Sequence, residues 1–486
     1  MQKVKKIGNL LTKILYFLIP IGLLLWSIQT IFNDSLWVDE VFSILLTQKN
    51  VPEMIYTTAI DVHPPLYYLI LKLLLLGNTS SIWMAKFISF IPIILLVITN
   101  YRMIPSMFGK KTTFLFSLFL LGMPQMMKYA VEIRMYSWGI LTVTLCFLFC
   151  IKWIENNQKR DLVFMTIFAL LSAYIHYFAA VSIGCIYLFV LIRYIQKRDK
   201  KRIKQLLFSI GALILLYLPW MIVLLKQVLV VKENYWIEPI TINTIKNILQ
   251  FPWKVNSSVW LTRILGIFLL ISLLLLAVKH RKKNSKYALL GISITIGTIS
   301  IGLIASFILR PIFISRYMIC SLGCFWIGFA IIWGNCIEKA NITKIVAILI
   351  TVMGIYNIYN LVKVENNYKL ELQESKNYLN TISSDILVFD DHQLQRVIAY
   401  YYPNTETYVY QQEISDLTKM VYNQVQIQSI ETLKEIEDKD KTIYLLVKNA
   451  SFLDELKDKG YSYQKCGSYQ IETYRFSVYQ LHFYEK

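Results

Sequence analysis

Apolar runs long enough to cross a lipid bilayer recur almost from end to end of this 486-residue chain. A hydrocarbon core of roughly 30 Å takes about 20 residues of helix. Eleven runs qualify, at approximately 14–33, 82–104, 112–127, 136–153, 162–178, 179–195, 207–225, 259–278, 287–308, 316–334 and 344–362. Charged residues make up 17% of the chain and hydrophobic ones 56%, where a soluble domain carries about 25% charge. The sequence therefore excludes a soluble enzyme, a coiled coil and a disordered chain. It specifies an all-α polytopic membrane bundle, for which about 11–13 transmembrane helices are expected.

Charge divides the chain in two. Residues 1–362 hold 36 Lys/Arg against 12 Asp/Glu, whereas residues 363–486 hold 14 against 19. A basic membrane domain, 1–362, is thus expected to precede a mildly acidic soluble domain, 363–486. The basic residues cluster at Lys3–Lys13, Lys110-Lys111, Lys159-Arg160, Lys197–Lys204, Lys279–Lys286 and Lys339–Lys344. Short basic loops between apolar runs are the signature of cytoplasmic loops, not of a nucleic-acid-binding stripe, so no nucleic acid is expected as a partner. Placing every one of these loops inside puts the N-terminus in the cytoplasm and the tail outside. The run 65–77 is too short to span; a crossing there would invert all later loops, so it reads as re-entrant or lying on the outer face. The N-terminal run reads as the first span and not as a removed signal peptide.

Six of the seven cysteines lie in apolar runs and only Cys466 in the tail, so no disulfide framework is available to the tail. Its pattern reads as a small α/β domain. Strands are expected at Ile386–Phe389, Thr407–Tyr410 and Thr442–Val447, helices near Leu394–Tyr402, Ile430–Ile436 and Phe452–Lys459, and a hairpin over Tyr469–Tyr484. Asp390-Asp391 suits a turn at a strand end better than a metal pair, and no glycine-rich phosphate loop occurs.

The acidic residues of the membrane part point to a site. Five of the twelve, Asp34, Asp39, Glu40, Glu53 and Asp61, fall in the single outer loop 34–61, although acids barely affect insertion. Trp37-Val-Asp39-Glu40 is followed by Asp61-Val-His63-Pro64-Pro65-Leu66-Tyr67-Tyr68. A carboxylate there suits a general base acting on an acceptor hydroxyl or amine; it equally suits a helix cap in a solvated loop. In Glu132-Ile-Arg134-Met-Tyr136 the planar guanidinium fits a phosphate, or snorkels to the interface. His176 emerges at a span end beside Tyr177. Arg310 and Arg316 flank an outer turn against the charge rule, which suits a lipid phosphate or the membrane's own headgroups. Tyr235-Trp236 and Phe251-Pro-Trp253 mix aromatics with lysines, as interfaces and sugar-stacking surfaces both do. The five histidines, His63, His176, His280, His392 and His482, show no metal spacing. A divalent metal would have to combine His63, His176 and acids across loops.

In this order, Asp39-Glu40, Asp61-x-His63-Pro64-Pro65-Leu66-Tyr67-Tyr68, Glu132-x-Arg134-x-Tyr136, His176-Tyr177 and Arg316-Tyr317 resemble glycosyltransferase family 39. That family includes the protein O-mannosyltransferases and the aminoarabinose transferases. The resemblance covers about residues 1–335. It implies the GT-C fold, a polyprenyl-phosphate-linked sugar as donor and an acceptor outside the cytoplasm. Carried over residue by residue, it makes Asp39 the base, with Glu40 orienting the acceptor or supporting the base. Asp61 and His63 form the second half of the site. Arg134 and Arg316 become the phosphate holders, the outer-turn Arg310 and His63 are expected to join them at the donor phosphate, and Glu132, Tyr136, His176 and Tyr67 are expected in support. The aminoarabinose branch has a lysine before its double proline where this chain has His63, so that specificity does not transfer. The alternative is a polyprenyl-lipid transporter or flippase, whose charges would line a path near the membrane midplane.

Overall fold

The computed structural model describes residues 2–233, 237–279, 284–337, 340–436 and 441–482; Tyr235, Trp236, His280 and Tyr484 lie outside the described residues. Two compact units make up the chain. One comprises Met1–Gln29, Val62–Ile70 and Lys86–Val362, the other Thr30–Asp61, Leu71–Ala85 and Lys363–Lys486.

The first unit is helical because hydrocarbon offers the backbone no hydrogen-bond partners. Among the described residues, nine helices are long and apolar enough to cross a membrane. One of them, Ile82–Gly122, is a hairpin. Gly109 takes φ 81°, ψ 164°, a conformation open to glycine because it lacks a Cβ. Asn100 then donates to the Thr113 carbonyl (2.9 Å) and to Ser117 Oγ (2.7 Å); seventeen residues along a straight helix would separate that pair by about 25 Å. The hairpin counts as two crossings. Lys159–Ile175 has 17 residues, about 26 Å of helix, and completes the eleven runs read from the sequence. Leu66–Leu75 has 10 residues, about 15 Å and half a crossing.

Close helix packing in this unit depends on small residues. A Cβ on Gly291 would stand 2.4 Å from the Cys324 carbonyl oxygen, and one on Gly328 would stand 2.8 Å from that of Ala288. The backbones of Ser285–Ile308 and Leu322–Ile331 therefore touch.

The second unit is built on a six-stranded sheet. Strands β1 (Ile386–Phe389), β2 (Thr407–Tyr410), β3 (Ile427–Ile430), β4 (Ile443–Val447), β5 (Ser462–Ile471) and β6 (Tyr474–His482) lie in the order β3-β2-β1-β4-β6-β5. The first four in that order are parallel, while β6 runs antiparallel to β4 and β5. All four residues of β1 are buried, as expected for a central strand covered on both faces. The sequence expectation fails at 430–436. Ile430, Leu433 and Ile436 have helical spacing, but Ile430 ends β3 and only Leu433–Glu435 turns. Glu435 Oε1 accepts from the Thr432 N–H at 2.8 Å and the Glu431 N–H at 3.1 Å, closing one turn and no more. A further helix, Asp416–Val421, went unread.

The two acids after β1 have structural work. Asp390 accepts from the Lys448 N–H (2.9 Å) and the Asn449 N–H (2.7 Å), tying β1 to the end of β4. Asp391 accepts from the Leu394 N–H at 2.7 Å, capping the helix His392–Tyr401, and its other oxygen meets Lys448 Nζ at 2.9 Å.

Gly291→Ala is expected to lower stability by about 1–3 kcal/mol through overpacking, read as a lower melting temperature in detergent. Gly22→Ala, with nothing within 4 Å of its Cβ, is the control and should leave the melting temperature unchanged.

Candidate active site

Three interruptions in the helices of the first unit bring its polar residues together. The helix Pro124–Val131 ends at Glu132 and the next begins at Tyr136. In the gap the Arg134 N–H bonds back to the Glu132 carbonyl (2.6 Å), and the Arg134 side chain is only 3% exposed. His176 is extended (φ −158°, ψ 137°) between Lys159–Ile175 and Tyr177–Gln196. The third gap follows Ile308 and carries Arg310.

Arg134 is held by two groups from the segment after the double proline. Its Nη1 donates to Tyr68 Oη at 3.3 Å and its Nη2 to His63 Nε2 at 3.3 Å. Guanidinium groups only donate, so His63 Nε2 presents its lone pair and the ring proton sits on Nδ1. His176 has the opposite tautomer: its Nδ1 accepts from the Phe178 N–H at 3.1 Å, which leaves the proton on Nε2. The two imidazole centroids are 5.9 Å apart, and His176 also meets Tyr317 (5.1 Å) and Tyr136 (6.0 Å). Arg316 lies within electrostatic range of His176 and of Tyr129.

A cavity of about 210 Å³ opens beside this cluster. Its walls are apolar, formed by Val181, Leu224, Val228, Ile301, Ala305 and Leu309 among others, and His63, His176, Arg310 and Tyr317 also line it. The lining thus combines extended apolar walls with imidazole, guanidinium and phenol groups. Tyr177, also in the lining, donates to Gln227, and Trp220 Nε1 donates to Tyr177 Oη at 3.1 Å.

Of the expected phosphate holders, Arg134 and His63 are in contact, Arg310 shares the cavity with His63, and Arg316 is near His176. Tyr67 precedes Tyr68 on the same helix. It is buried, with its hydroxyl 3.0 Å from Ser89 Oγ. Glu132 is half-buried at the start of the gap. The sequence reading left Tyr68 and Tyr317 inside quoted motifs without a role. It also overlooked Lys86, 3% exposed on the turn before Ser89; a lysine inside an apolar run was the available signal.

The expected carboxylates belong to the second unit. Asp39 and Glu40 occupy the first turn of the helix Val38–Gln48, where carboxylates complement the helix dipole. Glu40 is 3% exposed and its Oε2 accepts from the Trp37 N–H at 3.3 Å, so it caps the helix. Asp39 is half-buried. Asp61 follows the helix Val51–Ile60, its N–H bonded to the Thr57 carbonyl at 3.0 Å. The tail braces this turn: Tyr474 Oη accepts from the Val38 N–H at 3.3 Å. Burial raises the Tyr474 phenol well above its usual range, and the Asp39 and Asp391 carboxylates add to the rise. Among the described residues, no three His, Cys, Asp or Glu side chains are grouped to hold a metal ion.

Residues 62–222, about a third of the chain, match the family model of the dolichyl-phosphate-mannose-protein mannosyltransferases. Over 96% of this chain and 97% of the other, the structure resembles ArnT from Cupriavidus metallidurans bound to undecaprenyl phosphate, with a TM-score of 0.57 at 10% sequence identity. At that identity the likeness establishes the fold. The apo form of the same ArnT matches with a TM-score of 0.49 at 9% identity, over 97% of this chain and 98% of that one. No curated protein matches the sequence. The ArnT-like fold is thus a multi-pass membrane bundle with a small sheet domain, as the sequence led one to expect.

Tyr68→Phe takes away the oxygen that Arg134 Nη1 meets in this buried cluster. The expected cost is about 1–3 kcal/mol, seen as a lower melting temperature in detergent; an unchanged one would show that Arg134 is held without Tyr68.

Proposed function

We propose that this protein transfers a sugar from a polyprenyl-phosphate donor to an acceptor outside the cytoplasm, with inversion at the anomeric carbon. The carrying observation is the cavity of about 210 Å³, whose apolar walls share a lining with His63, His176 and Arg310, next to the buried Arg134. A polyprenyl phosphate has the matching form, a long hydrocarbon ending in a dianion. The match of residues 62–222 to the mannosyltransferase family model and the likeness to an ArnT bound to undecaprenyl phosphate support the same reading.

In this mechanism the acceptor's oxygen or nitrogen attacks the anomeric carbon as the bond to the lipid phosphate breaks. Asp39 takes the acceptor's proton. The departing phosphate keeps the electron pair, and Arg134, Arg316 and Arg310 stabilise its growing charge, which matters more for such a leaving group than protonation. His63 orients Arg134 and lies in the donor pocket. Glu40 fixes the turn that carries Asp39, and Asp61 completes the carboxylate set. The basic loops support a cytoplasmic N-terminus and a tail outside. They also support a division of labour in which residues 1–362 bind the donor and residues 363–486 serve the acceptor.

The test is transfer of radiolabelled sugar from extracted polyprenyl-phosphate-sugars to a crude envelope acceptor by purified protein. Asp39→Asn is expected to lower turnover by about 10²-fold or more with donor binding intact. Arg134→Gln should weaken donor binding by about tenfold or more. Equal transfer by wild type and Asp39→Asn would remove Asp39 as the base. Label carried across vesicle membranes without transfer to any acceptor would favour the transporter reading.

A further inference from the structure

The second unit holds an arginine to which neither the sequence nor the donor chemistry gives a use. Arg396 lies on the helix His392–Tyr401, which follows β1 and packs against the helix Val38–Gln48 that carries Asp39. Its guanidinium carbon stands 5.9 Å from the ring centre of Tyr422. Tyr422 directly follows the helix Asp416–Val421, which packs on Val38–Gln48 and Val51–Ile60. Tyr422 and Tyr474 are each within electrostatic range of both Arg396 and Asp39. One neighbourhood thus contains the candidate base, two tyrosines and a cation.

Two features show that this neighbourhood is unfinished. Among the described residues Arg396 has no hydrogen-bond or ion-pair partner, whereas the nearby Lys448 is bound to Asp391 at 2.9 Å and lies over the Tyr474 ring at 5.2 Å. Tyr422 is 1% exposed, yet its hydroxyl has no hydrogen-bond partner among those residues; buried polar groups nearly always have one. Sheet topology directs a ligand to the same end. The chain leaves β1 toward β2 and returns on the other side at β4, and open parallel sheets bind ligands outside the strand ends at such a switch point. Here Asp390 occupies the backbone N–H groups at the switch itself, so the cation left for a ligand is on the adjoining helix.

We propose that Arg396, with the Tyr422 hydroxyl, binds an oxyanion of the acceptor, a phosphate or a carboxylate carried close to the group that Asp39 deprotonates. This rests on the sugar-transfer reading above. The planar fork of arginine suits either anion through two parallel hydrogen bonds. Anchoring there would hold the acceptor's nucleophile at the carboxylate that activates it, and would select acidic acceptors over neutral glycans.

The experiment uses full-length protein in detergent and small probes, so that it needs no donor: calorimetric titration with glycerol phosphate, glycerate and glycerol. Wild type should bind glycerol phosphate or glycerate and not glycerol. Arg396→Gln should lose about tenfold or more of that affinity, and Arg396→Lys, which keeps the charge without the fork, should fall between. Asp39→Asn, removing a nearby negative charge, should bind the anion more tightly, a change that a purely structural arginine would not produce. Preference between the two anions identifies the oxyanion. Equal binding by wild type and Arg396→Gln, or no anion binding by wild type, overturns the proposal. Because no sugar is transferred, either result stands whether or not the donor reading survives its own test.

Discussion

Hydrocarbon supplies no hydrogen bonds, and that single constraint organises the membrane unit. Its backbone must be helical, and every break in a helix must find its own partners. Each of the three breaks does so, and each carries a polar residue of the site. At 132–135 the Arg134 N–H returns to the Glu132 carbonyl. At His176 the side chain itself accepts the N–H of Phe178. After Ile308, Ser306 Oγ accepts from the N–H groups of Ile312 (3.2 Å) and Phe313 (3.0 Å) in the segment that presents Arg310. A continuous helix would turn these side chains at the spacing of its neighbours. The breaks let Arg134 and His176 converge with His63, and they place Arg310 on the same cavity as the two histidines.

The membrane bundle was legible because a hydrophobic run long enough to span has few other uses. The eleven runs correspond to helices, with the hairpin at Gly109 marked in advance by Lys110-Lys111 between two apolar stretches. Motif order pointed to Arg134, His63 and His176, which the fold does gather. Periodicity misled at Ile430–Ile436, since three apolar residues at helical spacing serve equally as one strand end and one turn. Roles decided by tertiary partners were not legible. Nothing local turns Tyr67 toward Ser89 while its neighbour Tyr68 meets Arg134.

The tail offers the clearest case of information absent from local sequence. Read alone, residues 363–486 are a small acidic α/β domain. In the fold they share a compact unit with 30–61, and the groups packed on the helix that carries Asp39 come from three places: Tyr474 at the start of β6, helix His392–Tyr401, and helix Asp416–Val421. Only a pairing of segments more than 340 residues apart reveals this. The same pairing explains why so many tyrosines of the tail are buried with perturbed phenols near acids: they form the floor on which the carboxylate turn rests.

The two histidines of the cation cluster hold their protons on opposite nitrogens. His63 offers a bare Nε2 to a guanidinium, and His176 spends its Nδ1 lone pair on a backbone amide. Each ring is therefore a dipole whose direction its own hydrogen bond sets, one through a side chain and the other through the backbone, and the two imidazoles present oriented partial charges to the cavity they both line.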